Sequence, residues 1–71
     1  MQIWKVNPES DLAMLSSVRA QLDDLVLRIL GIADDYATTP DSQIAAELFN
    51  AERSLRGATR CVDRASSFLA R

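Results

Sequence analysis

Two stretches of the chain place apolar residues at alternating steps of three and four. In the first, Leu15, Val18, Leu22, Leu25, Ile29, Ile32 and Tyr36 keep the rhythm without a miss; in the second, Ile44, Leu48, Ala51, Leu55, Ala58, Val62, Ala65 and Leu69 do the same. Residues three and four apart share one side of an α-helix, so each stretch predicts a helix with one apolar stripe, spaced as the a/d seam of a coiled coil. The only competing pattern is Ile3-Trp4-Lys5-Val6, too short to make a sheet alone.

Both stretches open with the same start signal. Asn7-Pro8-Glu9-Ser10 and Thr39-Pro40-Asp41-Ser42 each offer a capping side chain, then proline at the first helical position, then an acidic residue in the first turn. There the missing proline N–H costs nothing and the helix dipole favours negative charge. These signals divide the single domain 1–71 into an N-terminal extended arm over 1–7, a helix over 8–37, a turn at 38–39 and a helix over 40–70. A link this short folds the helices into an antiparallel hairpin, each arm about 45 Å long at ~1.5 Å per residue.

Folding about Thr38 and Thr39 sets Ile29 opposite Ala51, Leu22 opposite Ala58 and Leu15 opposite Ala65. The expected fold is therefore all-α: a two-helix antiparallel coiled-coil hairpin with an alanine-rich seam, in which small residues let the backbones approach while large ones fill each layer. In architecture alone this resembles the alanine-ladder packing of small hairpin dimers such as the plasmid repressor-of-primer protein.

Several apolar residues fall outside that seam. Val26, Leu27, Leu30, Ala45, Ala46 and Phe49 lie near the turn; Leu12, Met14, Cys61 and Phe68 lie near the open end, with Ile3, Trp4 and Val6 close by. Covering a large apolar side chain is worth ~1.5–3 kcal/mol, so leaving the whole set in water forfeits stability on the scale of a small domain. The expected remedy is a homodimer forming a four-helix bundle, with Leu12, Met14, Val26, Leu27, Leu30, Phe49, Cys61 and Phe68 as candidate interface residues. A larger protein partner is the other way to bury them. Ile3, Trp4 and Val6 are candidate arm contacts, folding back over the open end or docking on a second chain.

Length sharpens the need for a partner. In a chain of 71 residues with one cysteine and no histidine, neither an internal disulfide nor a Cys/His metal site can supplement a marginal core. The amino terminus lacks the features of a secretory signal, and no apolar run approaches the ~20 residues of a membrane span. A soluble, cytoplasmic protein with no membrane partner is expected.

Chemistry is sparse. Without histidine the commonest general base is missing, and Gly31 and Gly57 stand alone on helices, so no phosphate-cradling loop exists. No enzyme activity, cofactor or catalytic residue is expected. Cys61 reads as a small buried apolar residue, with no base to activate it. Asp34, Asp35 and Asp41 make an acidic tip with too few oxygens for a calcium site. Arg53, Arg56, Arg60 and Arg64 form one stripe on the second helix. The stripe is a solvated face or a candidate contact for an acidic protein surface, and nucleic acid is the less favoured partner because the net charge is −2 and no aromatic lies between the arginines. The function expected is that of a non-enzymatic interaction or scaffold module acting as an oligomer, a nucleic-acid-binding regulator being the alternative.

Overall fold

The computed structural model describes residues 6–71, so Ile3 and Trp4 lie outside the described residues; Val6, the last of the candidate arm contacts, is exposed. Two helices, α1 (Pro8–Tyr36) and α2 (Ser42–Ala70), each of 29 residues, pack side by side along their length, and no strand occurs among the described residues.

Each helix end has a traceable cause. Asn7 caps α1: its side-chain oxygen accepts from the Ser10 N–H at 3.2 Å, and Pro8 occupies the first turn. The second proline acts differently. α2 starts at Ser42 rather than Pro40, with Asp41 at the cap and the Ile44 N–H donating to the Asp41 carbonyl. Thr39 is used as a staple between the helices instead of a cap. Its hydroxyl donates to the Tyr36 carbonyl at 2.8 Å and accepts from the Asp41 N–H at 3.2 Å, joining the last turn of α1 to the entry of α2. The link is thus residues 37–41, longer than the expected two: Pro40 has no N–H to give the Tyr36 carbonyl, and the Thr39 N–H and hydroxyl donate to that acceptor instead.

The inner seam is where expectation and structure part. The buried and half-buried positions of α1 are Leu12, Leu15, Val18, Leu22, Val26, Ile29, Leu30 and Ala33; those of α2 include Ala45, Leu48, Glu52, Leu55, Thr59, Val62, Ser66 and Leu69. Steps of three and four recur, but the line is shifted. Leu15, Leu22 and Ile29 face α2 together with Val26 and Ala33, whereas Leu25, Ile32 and Tyr36 are open to solvent. On α2, Leu48, Leu55, Val62 and Leu69 face inward beside Ala45, Glu52, Thr59 and Ser66, while Ala58 and Ala65 are exposed and Ala51 is half-buried. The alanine-rich seam within the hairpin is therefore corrected: the alanine row lies on the outside flank of the contact. Each helix has turned by one heptad row, roughly 50°.

Why the rotation occurs is visible in the residues it brings inward. Ala33 is fully buried and Ala45 is 3% exposed, so the two most completely covered residues are small ones beside the turn, where the short link holds the helices together. Farther out the rotation allows Arg19 to reach Asp63 across the helices at 2.7 Å. The polar groups it draws in are answered locally: Glu52 by Arg56 one turn on, and the Thr59 hydroxyl by the Leu55 carbonyl at 3.1 Å. No buried side-chain nitrogen or oxygen among the described residues lacks a partner, as a stable interior requires.

Two substitutions two residues apart in α1 should therefore act with opposite signs. A Cβ added at Gly31 meets nothing within 4 Å, so Gly31→Ala is expected to raise stability by about 0.5–1 kcal/mol by removing glycine's entropy cost in a helix. Ala33→Leu forces a large side chain into the closed approach beside the turn and is expected to cost about 1–3 kcal/mol. Thermal or urea unfolding of both variants checks the pair.

Candidate functional site

The hairpin has two unlike broad sides. One carries a shallow groove of about 230 Å³, lined by Arg19, Asp23 and Val26 of α1 and by Arg56, Thr59, Arg60 and Asp63 of α2. Because α1 and α2 are right-handed and antiparallel, the rows displaced from the seam on both helices emerge together on the side opposite this groove. One row is Val18, Leu25 and Ile32; the other is Ile44, Ala51, Ala58 and Ala65. With the outer edges of Leu15, Leu22, Ile29, Leu48, Leu55 and Val62 they form one apolar face without a charged residue in its central rows. Ile32 is 49% exposed, and Leu25 and Ile44 are each 39% exposed.

Four residues of each helix border that face. On α1 the border row is Met14, Gln21, Arg28 and Asp35; on α2 it is Glu47, Ser54, Cys61 and Phe68, and all eight are exposed. The structure thus scatters the candidate interface residues. Met14, Cys61 and Phe68 flank the open face. Val26 is 5% exposed and belongs to the hairpin's own seam, so it is withdrawn as an interface residue. Leu12 is half-buried in the same row. Leu30 and Phe49 share rows with Asp23 and with Arg56 and Asp63, which places them on the grooved side near the turn; Leu27 points away from both sides and is 70% exposed.

Cys61 is also corrected: it is exposed, not buried, because the rotation of α2 carries its row out of the contact. The Arg64 guanidinium donates to its sulfur at 3.2 Å, and Arg71 lies 4.6 Å above the Phe68 ring. Both contacts fix arginines beside the border of the apolar face. Of the remaining members of the stripe, two serve their own helix. Arg53 donates to the Asn50 side chain, Arg56 pairs with Glu52, and Arg60 lines the groove.

The groove itself is nearly self-neutralised. Arg19 sits between Asp63 and Asp23, at 2.7 Å and 3.7 Å. No group of three or more ligating side chains among the described residues could hold a metal ion, and no helix of the described residues is long and apolar enough to cross a membrane.

What the sequence pattern missed is which of the apolar rows turn inward. Leu25, Ile32, Ile44, Ala58 and Ala65 were expected inside the hairpin and are the substance of its open face. The signal was present in the width of the stripe: α1 is apolar at Leu25 and Val26 and again at Ile32 and Ala33, which is three rows where a two-stranded seam needs two.

The Arg19–Asp63 pair is half-exposed, its side chains 49% and 47% accessible, so solvent screens it. A double-mutant cycle with Arg19→Ala and Asp63→Ala is expected to give a coupling of about 0.2–1 kcal/mol that shrinks in high salt. A coupling above ~2 kcal/mol would mean that the pair, rather than the apolar seam, sets the helix rotation.

Comparison of the chain with protein families, with curated proteins and with solved structures finds no match.

Proposed function

We propose that the protein is a non-enzymatic interaction module that works as an oligomer, its apolar face covered by the equivalent face of another copy. One observation carries this reading: the two helices are rotated away from each other in the same direction. The centre of the three-row stripe of α1 points about 25°, and that of the two-row stripe of α2 about 50°, off the line joining the helices, both to the side opposite the groove. In a square bundle of four helices each stripe aims at the common centre, about 45° from the line to either neighbour. A hairpin that was complete alone would aim its stripes at each other.

The size of the face supports the same reading. From Leu15 to Tyr36 it runs about 32 Å across a body 19 Å wide. Its footprint of ~600 Å² per copy, before the flanking rows are added, is close to the ~800 Å² per partner of a standard stable interface. A contiguous apolar patch of this extent is at the limit of what monomers expose. The arginine stripe offers less to nucleic acid, since three of its four members are engaged within α2.

Sedimentation equilibrium or native mass spectrometry tests the proposal. The natural chain is expected at twice its 7.9 kDa mass. Ile32→Lys, at a half-exposed position of the open face, should weaken association at least tenfold while the chain stays helical, because a charge would be buried without a partner. A natural chain that is a folded monomer at tens of micromolar would refute it.

A further inference from the structure

Resting on the oligomer reading above, we infer a definite pairing direction: the second copy docks on the apolar face head to tail, with the two turns at opposite ends of the bundle. A two-fold axis can relate two such faces in two ways. If it runs along the bundle, the turns lie at the same end and α1 borders the α2 of its partner. If it runs across the bundle, the turns lie at opposite ends, α1 borders the partner's α1, and α2 borders the partner's α2. In both arrangements layers of two large residues and two alanines alternate with layers of four larger residues, so packing volume does not choose between them.

The charges along the borders do. With the turns together, α1 and the partner's α2 keep the levels they have within one hairpin. Asp35 then comes level with the partner's Glu47, and the symmetry repeats this like-charge contact on the other side of the bundle. With the turns opposed and the apolar faces centred on Leu25 and Leu55, Glu47 comes level with the partner's Cys61 and Arg64. Arg64 is already held at that border by its contact with the Cys61 sulfur. On the α1 border, Arg28, which pairs with Asp24 in its own helix at 3.2 Å, comes within one turn of the partner's Asp24. Opposite charges meet at both borders. The same arrangement separates the two turn regions, whose side chains Asp34, Asp35, Asp41 and Glu47 have no basic residue among positions 31–50, and brings each toward the end of the partner's α2 that carries Arg64 and Arg71.

The experiment is a pulsed electron-spin distance measurement on the full chain with a nitroxide at Thr38→Cys in a Cys61→Ser background. Thr38 is exposed. Turns at opposite ends put the two labels about 40 Å apart, since Thr38 is thirteen residues from Leu25 at ~1.5 Å each; turns at the same end put them within about 20 Å. A dimer with the long distance is the expected result. A dimer with the short distance overturns the pairing direction and leaves the oligomer reading standing, whereas a monomeric natural chain removes both. Glu47→Arg gives a second reading of opposite sign for the two arrangements. Dimer dissociation should become about tenfold easier and be restored by adding Arg64→Glu; tighter association of the single variant, through relief of the Asp35 contact, would overturn the proposal.

Discussion

The structure depends on a mismatch between the width of the apolar stripe on each helix and the width of the contact that one neighbour can provide. A helix packed against a single partner covers two adjacent heptad rows. α1 offers three, running through Val18, Leu22 and Val26 or their heptad equivalents, and α2 offers two through Ala51 and Leu55, flanked by a mixed row of Ala45, Glu52, Thr59 and Ser66. One row must therefore be left at the edge. The turn decides which. Ala33 and Ala45 are the small residues nearest the link and close up against each other's helix there, and the rows containing them become the inner ones. Everything else about the molecule, including the exposed alanines, the border residues and the polar groove, follows from that choice of side.

Polar residues confirm the cost of the choice and show how it is met. Glu52 enters the seam with a side chain only 14% exposed, yet Arg56 lies one turn away to neutralise it. Thr59 and Ser66 occupy rows where α2 could have carried alanine, and Thr59 satisfies its hydroxyl on its own backbone. Arg19 and Asp63 are partners only because they share the grooved side. None of these contacts is strong by itself, since exposed ion pairs contribute little. Together they make one side of the hairpin polar and self-satisfied, which leaves the opposite side as the place where apolar surface accumulates.

Much of this was legible in the sequence. Periodicity and the start signal at Asn7-Pro8 locate α1, the repeat from Leu48 to Leu69 locates α2, and the nearness of the two repeats makes a hairpin unavoidable. The Arg19–Asp63 pair lies within one turn of the alignment that folding about Thr38 and Thr39 sets. Rotation about each helix axis was not legible. An a/d count assigns rows by composition, and Leu25 with Ile32 scores as a better inner pair than Val26 with Ala33. The deciding facts are three-dimensional: how closely the backbones must approach beside the link, and which rows bring Arg19 near Asp63. Thr39 eluded the pattern for a related reason. A threonine before proline reads as a cap, but its hydroxyl also has an acceptor within reach, the Tyr36 carbonyl.

The alanines of α2 gain a different meaning from this rotation. Within one hairpin they would have been spacers between a helix and its own neighbour. On the open face they form a strip of small side chains along α2, flanked by Leu48, Leu55 and Val62, beside the larger Leu25 and Ile32 of α1. In the proposed head-to-tail dimer the alanine strip of one α2 would lie along that of the other, with Ala51 level with the partner's Ala58, so those two helices would approach closely. The α1 helices, meeting through leucine and isoleucine, would stand farther apart. Small residues set interhelix distance wherever they fall. In the proposed dimer they would set it between copies, and the unequal spacing would make the bundle a rhomb in cross-section rather than a square.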